Sequence, residues 1–271
     1  MGGDLSQRLV PDDLWAMVEP VLPSFRSRPR GGGTAPIDQH AVFTAVVYVL
    51  TGGCAWRYLP PTCGVSPATA HRRFSVWTAS GVWRQLHRVV LDEIGARGGL
   101  ELRDRRCRLG AREEGGPLTG RNPVDRGKAG SKPHVLTDAQ GLPVVVGVSS
   151  VANVNDVPAL RPLILGIPAV RSHRGPRRRH PDKVRAGKAY HSAGNLAWLR
   201  ERNITPRIAR PGVESSERLG RRRWKIERSI SWLFGYRRLT VRYERKGGHF
   251  LAILGLAAVM TSYKKLSKIA T

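Results

Sequence analysis

Acid is what this sequence has least of. Against 46 Lys and Arg it sets 20 Asp and Glu, for a formal charge of +26 and an isoelectric point near 11.4. So large an excess repels itself unless a polyanion shares the surface, which makes nucleic acid the expected partner and an anionic membrane surface the weaker alternative. Cysteine is scarce as well. Cys54, Cys63 and Cys107 are odd in number and form no CxxC pair, which argues against a disulfide framework and against a zinc finger. Long apolar runs are missing too: the longest, residues 250 to 260, is shorter than a bilayer span, and the first 15 residues lack the charged-then-apolar order of an export signal. The protein is therefore expected in the cytoplasm.

Arginine is what the sequence has in abundance, 37 residues against 9 lysines. Its planar fork suits phosphates and base edges, although a GC-rich genome produces the same bias. With 41% hydrophobic residues, the chain is rich enough in apolar side chains to build a core.

Residues 1 to 98 read as a helical, DNA-binding region. The stretch 9 to 22 carries Pro11 and Asp12 ahead of Leu14, Val18 and Val21 at helical spacing, and Pro23 ends it. A basic Gly/Pro linker covers 24 to 36, and a second helix follows near 38 to 51. Residues 66 to 79 have a serine at the N-cap, proline at the first helical position, and Ala70, Phe74 and Trp77 on one stripe. With the preceding turn, this is a candidate second helix of a helix-turn-helix, which would bring His71, Arg72 and Arg73 to phosphates or bases. A core helix with solvated arginines fits the same pattern. Residues 81 to 95 give a further amphipathic helix.

Residues 99 to 271 alternate strand and helix signals, as in a sheet covered by helices. A hairpin spans 133 to 150 around Asp138 to Gly141, and 156 to 165 is helical. The loop 171 to 183, with Arg174, Arg177, Arg178 and Arg179, is so cationic that it reads as a phosphate track. A strand begins at 183, a helix covers 192 to 203, a strand 205 to 210, and two helices close the chain. In the first of these two, Glu227 is the only acid between 221 and 240. It falls at the rim of the stripe formed by Ile226, Ile230, Leu233 and Phe234. Two roles fit that place: an ion pair with Arg223 one turn earlier, or a share in holding Mg²⁺, which prefers oxygen ligands.

The motifs "GCAWRYLPP", "ATAHRRFSVWTASGVWRQL", "TGRNPVDRGKAGSKPHVLTDAQGLP", "NVNDVPAL", "KVRAGKAY" and "RWKIERSISWLFGYRRL", in that order, resemble the acidic-triad (DDE) insertion-sequence transposases of the IS4/IS5 superfamily. The likeness spans nearly the whole chain. It implies an α/β fold: a ribonuclease-H-like mixed sheet flanked by helices, preceded by the helix-turn-helix-like region. It also implies two divalent ions, Mg²⁺, held by three carboxylates for phosphodiester attack on double-stranded DNA at terminal inverted repeats, with a homodimer on that DNA. By the same resemblance Glu227, four residues after Arg223, is the third acid. The cations around it, Lys225, Arg228, Arg237 and Arg238, together with Lys188, would hold strands.

Two triad positions depart from the pattern. The second aspartate falls at Gly187, and Asp182 sits about 16 Å away at the other end of the strand. The first should lie on a strand near Arg106, but residues 100 to 116 read "LELRDRRCRLGAREEGG", with five arginines in 103 to 112 and no β alternation. One DNA sequence encoding 102 to 116 gives, a nucleotide later, Ser-Ala-Ile-Val-Asp-Ala-Ala-Ser-Val-Arg-Glu-Lys-Arg-Gly. That peptide has the missing strand and acid, its aspartate straddling Arg106 and Cys107, so a pair of compensating frameshifts is one explanation. Asp104 is a weak substitute, and Asp125, Asp138 and Asp156 also sit in family-like motifs. A turn explains Asp138, while Asn155 and Asp156 are expected to cap the helix that follows. The chain thus reads as a transposase impaired in catalysis; the alternatives are a DNA-binding repressor of related elements and an unstable pseudogene product.

Overall fold

A computed structural model describes residues 2–24, 37–100, 104–109, 112–113, 120–121, 129–150, 156–173, 175–213, 216–240 and 243–270. The expected basic linker, Asp125 and Asn155 lie outside the described residues, as does Arg174. The side chains at 101–130 and 214–223 are outside them as well, and with them those of Asp104, Arg106 and Arg223.

Five helices come first: α1 (Gly2–Leu9), α2 (Asp12–Val18), α3 (Gln39–Gly52), α4 (Pro67–Ala79) and α5 (Val82–Ala96). Their ends obey capping chemistry. The Asp38 carboxylate accepts from the His40 amide at 2.9 Å to start α3, and the Ser66 hydroxyl accepts from the Thr69 amide at 3.2 Å to start α4. Helix α3 stops at Gly53, whose φ of 71° favours glycine. A Cβ there would also lie 2.7 Å from the Cβ of Arg237.

The remaining elements are β1 (Asp104–Leu109), β2 (Arg112–Glu113), β3 (Gly120–Arg121), β4 (Ala129–Thr137), β5 (Pro143–Ser150), α6 (Leu160–Leu165), β6 (Lys183–Ala186), α7 (Ala193–Arg200), β7 (Thr205–Ile208), α8 (Ser216–Phe234) and α9 (Gly247–Ala270). The main path across the sheet is β5-β4-β1-β6-β7, with β2 and β3 pairing with the start of β4. Strand β1 is antiparallel to β4, β4 is antiparallel to β5, and β6 and β7 are parallel to β1.

The expectation that 100 to 116 would not supply a central strand is corrected. Residues 104–109 form β1 in the middle of the sheet, Arg106 opposite Thr137 on one side and Arg185 on the other. Backbone pairing from two flanking strands sets the conformation here, and overrides a local sequence unfavourable to strand.

Aromatic and aliphatic side chains join the helices into one core. Phe43, Phe74, Trp77 and Trp83 interlock, with Phe74 and Trp83 centroids 5.6 Å apart and Trp77 and Trp83 6.1 Å apart in an edge contact. Phe43, Phe74 and Trp77 are fully buried. Helix α9 packs along α5, touches α3 and α4, and covers β5, so the helical layer and the sheet share it. By length and composition α9 would reach across a bilayer, beyond what its apolar run alone predicts, but 67% of its most apolar window is buried inside the protein. Helix α8 lies against β1 and β4, and α6 against β4 and β5.

Candidate catalytic and DNA-contacting site

Parallel pairing of β1 with β6 sets one end of the site. Cys107 is opposite Ala186, so Gly187, the residue after β6, continues that register past the strand end. The expected positions of the first and second acids are thus neighbours on adjacent strands. Gly187 has an ordinary extended backbone, φ −70° and ψ 166°, and a Cβ built on it meets no atom of the described residues within 4 Å. Nothing in the backbone or among the described neighbours requires glycine, yet glycine supplies no ligand.

The short 3-10 turn Lys188–Tyr190 that follows is anchored by a buried network. The Tyr190 hydroxyl is 2.9 Å from His134 Nδ1, and His134 Nε2 is 2.7 Å from the Ser149 hydroxyl. Burial, with the Lys132 ammonium adding to it, pushes the His134 pKa down to about 4. Asn195 donates to the carbonyls of Tyr190 (3.1 Å) and Val157 (2.9 Å), which ties the start of α7 to the same turn. Asp156 is a correction: its carboxylate does not cap the next helix but takes the Lys132 ammonium at 3.1 Å, nearly buried. Asp138 is a turn residue as expected. Its Oδ1 accepts from the amides of Gln140 (2.9 Å) and Leu142 (2.7 Å).

That turn seats α8. The Ser229 hydroxyl donates to the Gly141 carbonyl, Arg228 donates to the Gln140 carbonyl at 2.7 Å, and Lys225 reaches the Ala139 carbonyl at 3.3 Å. Gly141 has φ 94°, and a Cβ on it would stand 2.7 Å from the Lys225 carbonyl oxygen. With Ile226 and Leu233 turned inward, Glu227 is exposed on the same stripe as Trp224 and Ser231. Among the described residues no three of His, Cys, Asp and Glu are grouped to hold a metal ion. The described side chains alone supply no set of oxygens for a pair of divalent cations.

The expected DNA-contacting cations divide into two classes. Arg72, Lys188 and Arg237 are exposed, Arg73 and Lys225 half-buried. His71 is exposed too, its ring against Trp56 (5.3 Å) and His249 (5.8 Å); desolvation first, then Lys246 and Arg238, lower its pKa. The cationic loop is partly committed elsewhere. Arg177 holds both oxygens of Asp92 on α5 at 2.7 and 2.9 Å, Arg179 donates to the Leu165 carbonyl, and Arg178 pairs through its backbone with Val170. Arg177 and Arg179 therefore brace the loop, which the local density of charge could not reveal. Arg238 is also corrected: only 2% exposed, it pairs with Glu244 at 2.7 Å and donates to the Cys54 carbonyl at 2.6 Å. Glu244 and Asp92 are the two acids that sequence reasoning overlooked; both are separated from the charges they neutralise by turns or by whole elements.

Residues 108–261 match the family model described as "Transposase DDE domain". That match covers more than half of the chain, and it begins inside β1 and ends in α9.

The chain belongs to the DDE transposases of insertion sequences.

Residues 10–87 match a second model, "Putative transposase of IS4/5 family". A "Putative transposase for insertion sequence element IS402" from Burkholderia cepacia is 40% identical over 164 residues, 60% of this chain and 77% of the relative. An uncharacterized 16.2 kDa protein of the same element, from the same organism, is 35% identical over 94 residues, 34% of this chain and 64% of that protein. Divalent metal use goes with a DDE domain in this family.

Proposed function

We propose that this transposase binds the duplex DNA of its element's terminal inverted repeats without cutting it. The observation that carries the proposal is the junction of β1 and β6, where the positions expected for two acids are register neighbours and one of them is Gly187. Hard divalent cations need several converging oxygens, and a two-metal displacement needs both ions in place. Glu227 is the one triad acid present, so Mg²⁺ binding is weak or lost.

The strand order β5-β4-β1-β6-β7, with a hairpin antiparallel to β1 and two strands parallel to it, supports a ribonuclease-H-like catalytic region over 99–271. Residues 1–98 are the DNA-binding region. Helix α4 is its recognition helix, presenting Arg72 beside His71. The connection from Gly53 to Ser66 contains two 3-10 turns, longer than the three or four residues of a common helix-turn-helix, so α4 enters the groove after an extended turn. Arg178, Arg223, Arg228 and Arg237 add phosphate contacts, and a homodimer would engage two ends.

The arginine-rich β1 is a frame-displaced version of a strand that carried the first aspartate. Codons for 102–114 that cannot encode an apolar, aspartate-containing peptide in another frame would remove that explanation. A protein that occupies ends without cutting them competes with active relatives, so repression follows from the same reading. A gel shift checks binding: terminal repeats should be retained at roughly tenfold lower protein concentration than random duplex. Equal retention of both would reduce the interaction to charge alone.

A further inference from the structure

Two parts of the chain that lie far apart in sequence meet at one side chain. Helix α3 ends at Gly52, and the connection from Gly53 to Ser66 leads into α4. The 3-10 turn Arg237–Leu239 follows α8, the helix that carries Glu227, and the chain runs on from it to α9. The two backbones touch: a Cβ on Gly53 would stand 3.2 Å from the Arg237 carbonyl oxygen. The Arg238 guanidinium fills the joint and uses all three of its nitrogens. Nε and Nη2 hold Glu244 Oε1 at 2.8 and 2.7 Å, and Nη1 donates to the Cys54 carbonyl at 2.6 Å. The guanidinium carbon lies 4.6 Å from the Tyr243 ring centre and 5.9 Å from that of Trp56. Trp56 in turn meets α4, its ring 5.3 Å from His71 and 5.2 Å from Phe74. His249, in the first turn of α9, reaches the same two rings at 5.8 and 5.3 Å.

Stability alone does not account for a charged pair in this place. Well-packed apolar residues of similar volume often serve stability as well as a buried ion pair does, or better. They do not supply a donor for the Cys54 carbonyl, nor a rigid fork that holds it at a set distance and angle from Glu244. The connection it grips contains two 3-10 turns, in which the amides of Tyr58, Leu59, Cys63 and Gly64 each bond three residues back. Turns so short leave the direction of the next helix to contacts from outside them. We propose that Arg238 is a positioning residue that fixes the angle of α4 relative to α8, so that the helix presenting Arg72 meets its groove in step with the region carrying Glu227. The inference rests on the reading of α4 as the recognition helix for the repeats. Readout of base edges depends on that angle, whereas attraction to phosphates carries no sequence information. Loss of the tether therefore removes discrimination between sequences and leaves the charge-driven part of binding.

The test compares the full chain with its double variant Arg238→Met/Glu244→Leu. One cation and one anion go together, so the formal charge stays at +26 and no charge is left buried alone. Two readings are taken on protein that melts cooperatively: amide hydrogen exchange without DNA, and gel shifts with terminal repeats and with random duplex. The amides of Tyr58, Leu59, Cys63 and Gly64 should exchange roughly tenfold faster than in the parent, with those of α5 unchanged. Random-duplex affinity should change less than about twofold, while the roughly tenfold preference for repeats falls toward equality. A merely structural pair predicts otherwise, since a variant that recovers stability would recover discrimination with it. In a parent that discriminates, parent-like discrimination by the variant overturns the proposal; so does parent-like exchange. If the parent shows no preference for repeats, the repeat-binding reading fails and exchange alone judges the tether. Should the double variant not melt cooperatively, Arg238→Lys takes its place with the same expectations, because it keeps the charge as a point and loses the fork.

Discussion

The helical layer and the far end of the sheet are built on opposite terms. Around α3, α4, α5 and α9, apolar side chains fill space densely and buried polar groups are few, Arg238 and Glu244 among them as an ion pair. At the end of β6, a side chain added at Gly187 meets none of the described residues. The difference teaches where a change is tolerated. Loss of a ligand at an open strand end leaves packing intact, so a fold can outlive its chemistry, whereas a cavity in the helical layer acts on the whole molecule.

The largest effect expected is from the helical layer: Trp77→Ala or Phe74→Ala should cost about 3 to 5 kcal/mol, read from urea denaturation midpoints. A loss under 1 kcal/mol would mean that the aromatic cluster is not the core it looks like. Removing one partner of the buried ion pair, Arg238→Ala or Glu244→Ala, should cost ~3 kcal/mol by the same measurement, because the other charge is then buried alone. The double replacement by apolar residues should cost less than either single change.

Next comes acid. His87 is buried against Ser262, and its pKa, like that of His134, is pushed to about 4, chiefly by burial. Both folded values lie below the ordinary 6.5, so the folded state resists protonation. Their contribution is fully present above pH 6.5 and is lost as pH falls through 4, amounting to about 3 kcal/mol for each group at the low end. Unfolding midpoints measured from pH 7 to pH 4 should fall, and His134→Gln should flatten that fall. A pH-independent midpoint would contradict the buried, neutral state of both rings.

At the hairpin turn, Asp138→Ala removes two amide partners and should cost roughly 1 to 2 kcal/mol. The smallest effect is at the open end. Gly187→Asp should shift stability by less than about 0.5 kcal/mol, since the backbone is regular and no described residue stands within 4 Å of the added Cβ. That variant should not gain DNA cleavage while β1 has Arg106 and Cys107 where the first acid is expected.

Much of this arrangement was legible in the residues. Ser66 and Pro67 announced α4, Asp138 announced the hairpin, and 183 to 210 announced the strand-helix-strand unit, because each signal is local: a cap, a turn, a period. The failures have a common cause. Strand β1 could not be recognised because its conformation comes from β4 and β6, not from its own side chains. Arg177 looked like a free cation because Asp92 reaches it from α5, 85 residues away, and Arg238 because Glu244, six residues on, folds back to it outside the i+3 and i+4 spacing of a helix. The site was readable only through the resemblance. The register of β1 against β6 then brought two distant positions side by side, which spacing along the chain does not reveal.

The central claim is that one remaining acid does not assemble a two-metal site, and strand cleavage tests it most directly. Purified protein is incubated with duplexes carrying the element's own ends and with Mg²⁺ or Mn²⁺, and the strands are resolved on a denaturing gel. The account predicts ends that are bound but uncut; a metal-dependent product that disappears in Glu227→Ala would contradict it.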